Sequence, residues 1–200
     1  MTNAFLFDIG NVLLRFDFSL AVKKLATESA VDDPAAALGL IEPVKLRYED
    51  GQLDRAEFLR EMRAVLGYRG TEAGFIAAWE EIFEPNAPML ALVERLHGRV
   101  PLYLLSNISD IHRDYVFRRY PVFARFTAGT YSYAVRASKP GAEIYHHAIR
   151  AHGLEPARTF FIDDLLPNIE TARALGFRAH HYRHERHGEL EKELAALGIG

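Results

Sequence analysis

The chain has no cysteine. That excludes disulfides, thiol nucleophiles and cysteine-bound zinc; it fits a reducing compartment, and a cytoplasmic location is expected. No apolar run is long enough to span a bilayer, and the N-terminus lacks the basic stretch and long apolar segment of a signal peptide, so no membrane partner is expected. A basic excess is also missing. Lys and Arg number 24 against 27 Asp and Glu, which leaves a net charge of -3 and no positive footprint for nucleic acid. Repeats and low-complexity linkers are absent as well. What remains is an ordinary globular composition, 49% hydrophobic and 26% charged over 200 residues, enough for one good core and a small accessory domain.

The chain is organised around Ala4-Phe5-Leu6-Phe7-Asp8-Ile9-Gly10-Asn11-Val12-Leu13-Leu14. It is apolar on both sides of one carboxylate, the texture of a strand buried on both faces in a parallel sheet. Asp8 falls where that strand ends, and Gly10 and Asn11 supply the turn. Ligands of open α/β sheets gather outside the carboxyl ends of the strands, so Asp8 is a candidate reactive group. An isolated aspartate there would ordinarily be a cap or turn residue; the rest of the chain decides otherwise.

From Asp17 to Phe83 the pattern is helical. Apolar residues recur at helical spacing around Leu25, Phe58 and Trp79, with breaks at Asp32-Asp33-Pro34, Gly51, Gly67 to Gly70 and Pro85. Asp54 and Thr71 read as N-caps, and Asp54 with Glu57 makes a capping box. From Pro88 onward helix and strand alternate. Expected strands are Val100 to Leu105 ending in Ser106-Asn107, a short one within 126–133, Thr159 to Ile162 ending in Asp163-Asp164, and 177–182. Expected helices run from 89 to Gly98, over 111–120, from Ser138-Lys139-Pro140-Gly141 to 151 with Pro140 at or near the first position, over 168–175 to Gly176, and over 190–197. Alternation predicts an α/β fold, a parallel sheet with helices on both faces. The core comprises residues 1–15 and 86–200, and a helical-bundle cap, residues 16–85, is inserted just after Asp8.

Three strand tips therefore bring together Asp8, Ser106 with Asn107, and Asp163 with Asp164, with Lys139 at a helix start between the last two. Singly, these are turn residues, helix caps and a solvated lysine. Jointly they suit phosphoryl transfer. Clustered carboxylates without His or Cys partners call for a hard cation such as Mg²⁺. Its charge lets Asp8 stay ionised beside Asp163 and Asp164, and an ionised carboxylate can attack phosphorus. Ser106 and nearby backbone amides can bind phosphate oxygens, while Lys139 neutralises charge on the transferring group.

The motifs Phe7-Asp8-Ile9-Gly10-Asn11-Val12-Leu13, Leu104-Leu105-Ser106-Asn107, Ser138-Lys139-Pro140 and Phe161-Ile162-Asp163-Asp164 with Asn168 and Ala172 to Gly176, in that order, resemble the haloacid dehalogenase superfamily of hydrolases. With Tyr48-Glu49-Asp50-Gly51 and Phe58, the chain is most similar to the branch that dephosphorylates α-D-glucose 1-phosphate and related sugar phosphates. The resemblance implies a Rossmann-like three-layer core with a helical cap, and a Mg²⁺-dependent phosphatase acting on a small phosphorylated metabolite. It implies Asp8 as nucleophile and metal ligand, the Gly10 carbonyl and Asp164 as further metal ligands, and Asp163 joining the metal site by orienting Asp164. Ser106, the Asn107 amide and Lys139 would hold the phosphate.

Most phosphatases of that superfamily carry a second aspartate two residues after the nucleophile, where this chain has Gly10. Glu49 and Asp50 of the cap are the candidates to replace it over the substrate; the plainer reading is that Glu49 merely ends a helix before Gly51. Trp79 could stack on a sugar, though its spacing suits a core residue. His180, His181, His184 and His187 read as exposed rather than as a metal cluster, and Arg15 and Arg47 could meet an anion or be solvated. Two other functions fit the pattern less well: a metal-free 2-haloacid dehalogenase, which has no need of the acid pair, and a non-catalytic binding protein on the same scaffold.

Overall fold

The computed structural model describes residues 2–31 and 33–199. In chain order its elements are β1 (Ala4–Phe7), β2 (Leu14–Phe16), α1 (Phe18–Ala26), α2 (Pro34–Glu49), α3 (Arg55–Leu66), α4 (Glu72–Glu80), β3 (Phe83–Pro85), α5 (Ala87–Leu96), β4 (Leu102–Ser106), α6 (Asp110–Arg119), β5 (Ala128–Tyr131), α7 (Ser132–Val135), α8 (Ala142–His152), β6 (Thr159–Asp163), α9 (Leu166–Ala174), β7 (Arg178–His181) and α10 (His187–Ala196). Five strands form one sheet in the order β5-β4-β1-β6-β7, all parallel, with Phe5 opposite both Leu102 and Phe160. This is the Rossmann-like α/β architecture expected, with β1 at its centre.

The unbroken apolar run of β1 is explained by alternation across two covered faces. Phe5 and Phe7 pack with Phe160, Ile162, Leu92 of α5 and Leu190 of α10. Ala4 and Leu6 pack on the opposite face with Phe161, Tyr145 of α8 and Ile169 of α9. Each large side chain fully buried this way contributes about 1.5–3 kcal/mol, offset by the entropy of ordering the chain.

Between β2 and β3 the chain builds a separate apolar centre around Tyr48, Phe58, Met62, Phe75 and Trp79. Its helix ends are set locally. Asp17, Asp33 and Thr71 accept from backbone N–H groups of the first turns of α1, α2 and α4. Asp54 and Glu57 form a reciprocal capping box on α3, and Gly67 closes that helix in the left-handed region at φ 58°. Asp32, read as part of a break, lies outside the described residues.

The structure corrects the sequence reading in three places. An antiparallel ribbon joins β2 to β3, with Leu14 opposite Pro85 and Phe16 opposite Phe83, a pairing that was not expected at either end of the helical stretch. Its three-residue strands are too short to show a period. Pro140 precedes α8 rather than opening it: Gly141 is the N-cap, and the Lys139–Pro140 peptide is cis. Helix α9 starts at Leu166, with Pro167 in its first turn, because a proline needs no N–H partner there.

Candidate active site

Asp8 is the first residue past β1, and its backbone N–H donates to the Ile162 carbonyl of β6 at 3.0 Å. Its carboxylate is nearly buried, 10% exposed, and lies 2.9 Å from Lys139 Nζ. That ammonium donates to Asp163 Oδ2 at 2.6 Å and to the Leu105 carbonyl at 2.9 Å, and it forms an ion pair with Asp8 Oδ1, a buried atom that accepts no hydrogen bond. The Lys139 backbone is clamped by one amide side chain, since Asn107 Nδ2 donates to its carbonyl at 2.8 Å and Asn107 Oδ1 accepts from its N–H at 2.9 Å.

Asp163 is fully buried, and both its oxygens are engaged. Besides Lys139, it accepts from Leu165 N at 2.9 Å and Asn168 Nδ2 at 2.8 Å, which fixes the turn into α9. Asp164, the next residue, accepts from Asn11 Nδ2 at 3.0 Å. Asn11 adopts φ 52°, a left-handed conformation that Asn tolerates. Oxygens from Asp8, Asp163 and Asp164 all lie within 4.8 Å of one another.

Electrostatics follow from this crowding. Burial raises the Asp8 carboxyl above its usual range, and Asp163 and Asp164 add to that rise, while Lys139 opposes it. Burial alone would lower the Lys139 ammonium, but Asp163 and Asp8 outweigh it and hold it above its ordinary value. Burial raises Asp164 too, against the Asn11 hydrogen bond. Three acids around one lysine leave an excess of negative charge in a desolvated place. A divalent cation on hard oxygen donors fits that excess.

These groups open on one cavity of about 250 Å³. Asp8, Gly10, Ser106, Asn107, Lys139 and Asp164 line its floor, and Asp163 lies beneath it. The structure distinguishes the two acids at the end of α2. Glu49, the last residue of α2, lines the cavity, whereas Asp50 turns away and accepts from Ser138 Oγ. Burial pushes the Glu49 carboxyl up to about 7, opposed by Lys45 and reinforced by Glu42 and Asp50.

A family profile described as haloacid dehalogenase-like hydrolase matches residues 2–176. The chain belongs to the haloacid dehalogenase-like hydrolases. Two characterised relatives are phosphatases. A D-ribitol-5-phosphate phosphatase of Bacteroides thetaiotaomicron is 25% identical, covering 98% of this chain and 98% of the relative. A sesquiterpene phosphatase of Aspergillus oryzae is 27% identical, covering 65% of this chain and 67% of that one. A haloacid dehalogenase family enzyme of B. thetaiotaomicron, solved with magnesium and inorganic phosphate, superposes with a TM-score of 0.78 at 26% identity, covering 92% of this chain and 95% of that one. An L-2-haloacid dehalogenase of Xanthobacter autotrophicus shares the fold at TM-score 0.64 and 18% identity, covering 90% of this chain and 76% of that one.

Other residues singled out in this hydrolase lie away from the cavity. Trp79 is buried in the centre formed by α1 to α4, stacked on His112 with ring centroids 5.5 Å apart. Arg15 pairs with Glu84 across the ribbon at 3.0 Å, and Arg47 with Glu61 at 2.7 Å. The four histidines do not converge, and His180, expected to be exposed, is buried with Nδ1 2.7 Å from Glu193. His181 bonds the Asp164 carbonyl at 2.8 Å, so it braces the site from behind. Sequence reasoning missed Lys45, Phe16, Phe18, Phe83 and His112 on the cavity wall. Lys45 was findable, since it precedes Glu49 by one helical turn.

Proposed function

We propose that this hydrolase is a Mg²⁺-dependent phosphatase that cleaves a small phosphomonoester through an aspartyl-phosphate on Asp8. The observation that carries this reading is the trio of carboxylates within 4.8 Å around a lysine-anchored Asp8 at the strand tips. The phosphatase relatives and the magnesium and phosphate complex of a similar enzyme support it.

Asp8, Asp164 and the Gly10 carbonyl would hold the cation, and Asp163 would keep Asp164 and Lys139 in place. When bound, Mg²⁺ supplies positive charge that holds Asp8 ionised and offsets charge on the phosphoryl oxygens. Ser106 and the Asn107 backbone amide hold those oxygens. An Asp8 oxygen attacks phosphorus, and the ester P–O bond breaks. The departing alkoxide takes a proton from Glu49, whose pKa near neutrality suits that task. Glu49, now a carboxylate, then accepts a proton from water as that water attacks the aspartyl-phosphate. Inorganic phosphate leaves and Asp8 is regenerated. In this reading residues 1–15 and 86–200 form the core that performs transfer, and the cap of residues 16–85 covers the leaving group.

The test is phosphate release from a panel of phosphomonoesters with Mg²⁺, with a chelator, and by Asp8→Asn. Expected are turnover with Mg²⁺, its loss on chelation and in the variant, and a phosphate adduct on Asp8 in quenched protein. Turnover indifferent to the chelator, or retained by Asp8→Asn, would overturn the reading.

A further inference from the structure

The place where a second aspartate would stand is occupied by an aromatic ring. A Cβ added to Gly10 would meet Phe16 Cε1 at 2.9 Å. Phe16 therefore lies against the backbone two residues past Asp8, on the cavity wall. Its ring meets Phe18 edge-on with centroids 5.6 Å apart and lies 6.5 Å from Phe83. Ile82, Ile108 and Leu165 extend the same wall. Phe16 and Leu165 remain 39% and 55% exposed, so the apolar surface continues from inside the cavity to its mouth.

Polar groups on that wall are scarce, and most are spoken for within the protein. His112 Nε2 is engaged by the Trp79 carbonyl at 2.9 Å, and burial lowers its pKa to about 4, so the ring is neutral. Asn107 clamps the Lys139 backbone, Asn168 Nδ2 donates to Asp163 and Asn11 Nδ2 to Asp164. Lys45 Nζ lies 2.8 Å from Glu42 and 4.6 Å from the centre of the Phe18 ring. Lys45 and Glu49 are thus the charged groups that the cap brings to the cavity. A polyol would carry hydroxyls into a wall with few partners for them, and an unpartnered buried hydroxyl is costly.

We infer that the alcohol of the substrate is predominantly apolar, a phosphate monoester whose hydrocarbon body lies on the Phe16, Phe18 and Phe83 wall. This inference rests on the phosphatase reading and names its substrate class. It departs from the sugar phosphate that the sequence resemblance implied. The ester oxygen faces Glu49, and the hydrocarbon follows Phe16 and Leu165 toward solvent.

The test compares n-pentyl phosphate with D-ribitol 5-phosphate, which have equal carbon counts and differ in hydroxyls. Turnover is measured with Mg²⁺ on the wild-type chain, and binding is measured with Mg²⁺ on Asp8→Asn. Expected is a kcat/KM at least about tenfold higher for pentyl phosphate, the size of preference an apolar pocket gives, with tighter binding to match. In Phe16→Ser this ratio collapses through loss of the pentyl ester's advantage. Equal or better kinetics for ribitol phosphate would overturn the substrate class and leave the phosphatase reading intact. Tighter binding of pentyl phosphate without turnover of either ester would uphold the apolar wall and overturn the phosphatase reading. Binding of neither ester would overturn the inference.

Discussion

The floor and the roof of the cavity are built differently. On the floor, Lys139 donates to groups of β4 and β6 and pairs with the carboxylate just past β1, and Asn107, Asn168 and Asn11 each hold a neighbour in place. Position there follows from the register of a parallel sheet, which places strand ends side by side. The roof has one carboxylate and one lysine, a helical turn apart on α2, among aromatic rings from the ribbon and α1. Hydrogen bonds between polar groups fix the floor, whereas apolar packing shapes the roof. Such a division suits an enzyme in which the reacting group is constant and the leaving group is selected.

Four outcomes would break or sharpen this contrast. If Asp8 is the nucleophile proposed above, phosphate release by Asp8→Asn falls by about 10⁴-fold or more in steady-state assays, as loss of a nucleophile does elsewhere. Lys139→Met leaves Asp8 and Asp163 as buried acids without a counter-charge and should cost about 3–5 kcal/mol in urea unfolding. An unchanged midpoint would mean that the floor does not depend on that ion pair. On the roof, Glu49→Gln should lower kcat by about 10²-fold or more with little change in fold, while Asp50→Asn stays near wild type. Equal losses in both variants would erase the distinction drawn between them. His180→Ala, which removes a side chain that does not line the cavity, should cost only about 0.5–1.5 kcal/mol and leave turnover alone.

Glu49 also gives a pH signature without an assay of turnover. In the folded chain it holds its proton up to about pH 7, and in the unfolded chain it loses it near its ordinary value of 4.5. Between those values the folded state binds more protons, so its contribution to stability falls as pH rises through that window. Urea midpoints at about pH 5 and about pH 8 should therefore differ less in Glu49→Gln than in wild type. An identical slope in both would place Glu49 in water rather than under the roof.

Much of the floor was legible in the sequence because it depends on short-range pattern. The burial of β1, β4 and β6 shows as apolar runs, and the acids and Ser106 stand directly at their ends. Helix caps at Asp54 and Thr71 were equally local. The roof was not legible, because its parts are distant in sequence. Phe16 reaches the Gly10 backbone only once β2 has paired with β3. Glu49 and Asp50 are adjacent and chemically alike, and only the end of α2, where Asp50 meets Ser138, separates their directions. His180 was misread as exposed although a strand over 177–182 was expected, because nothing local shows that Glu193 of α10 reaches its ring.

The ribbon has a mechanical consequence. Both chain crossings between the sheet and the inserted helices run through Leu14–Phe16 and Phe83–Pro85, and these are bonded to each other. The inserted helices are therefore tied to the sheet by one doubled strap rather than by two independent links. Phe16 belongs to that strap, so the position of its ring against the Gly10 backbone is set by the same pairing that carries the helices.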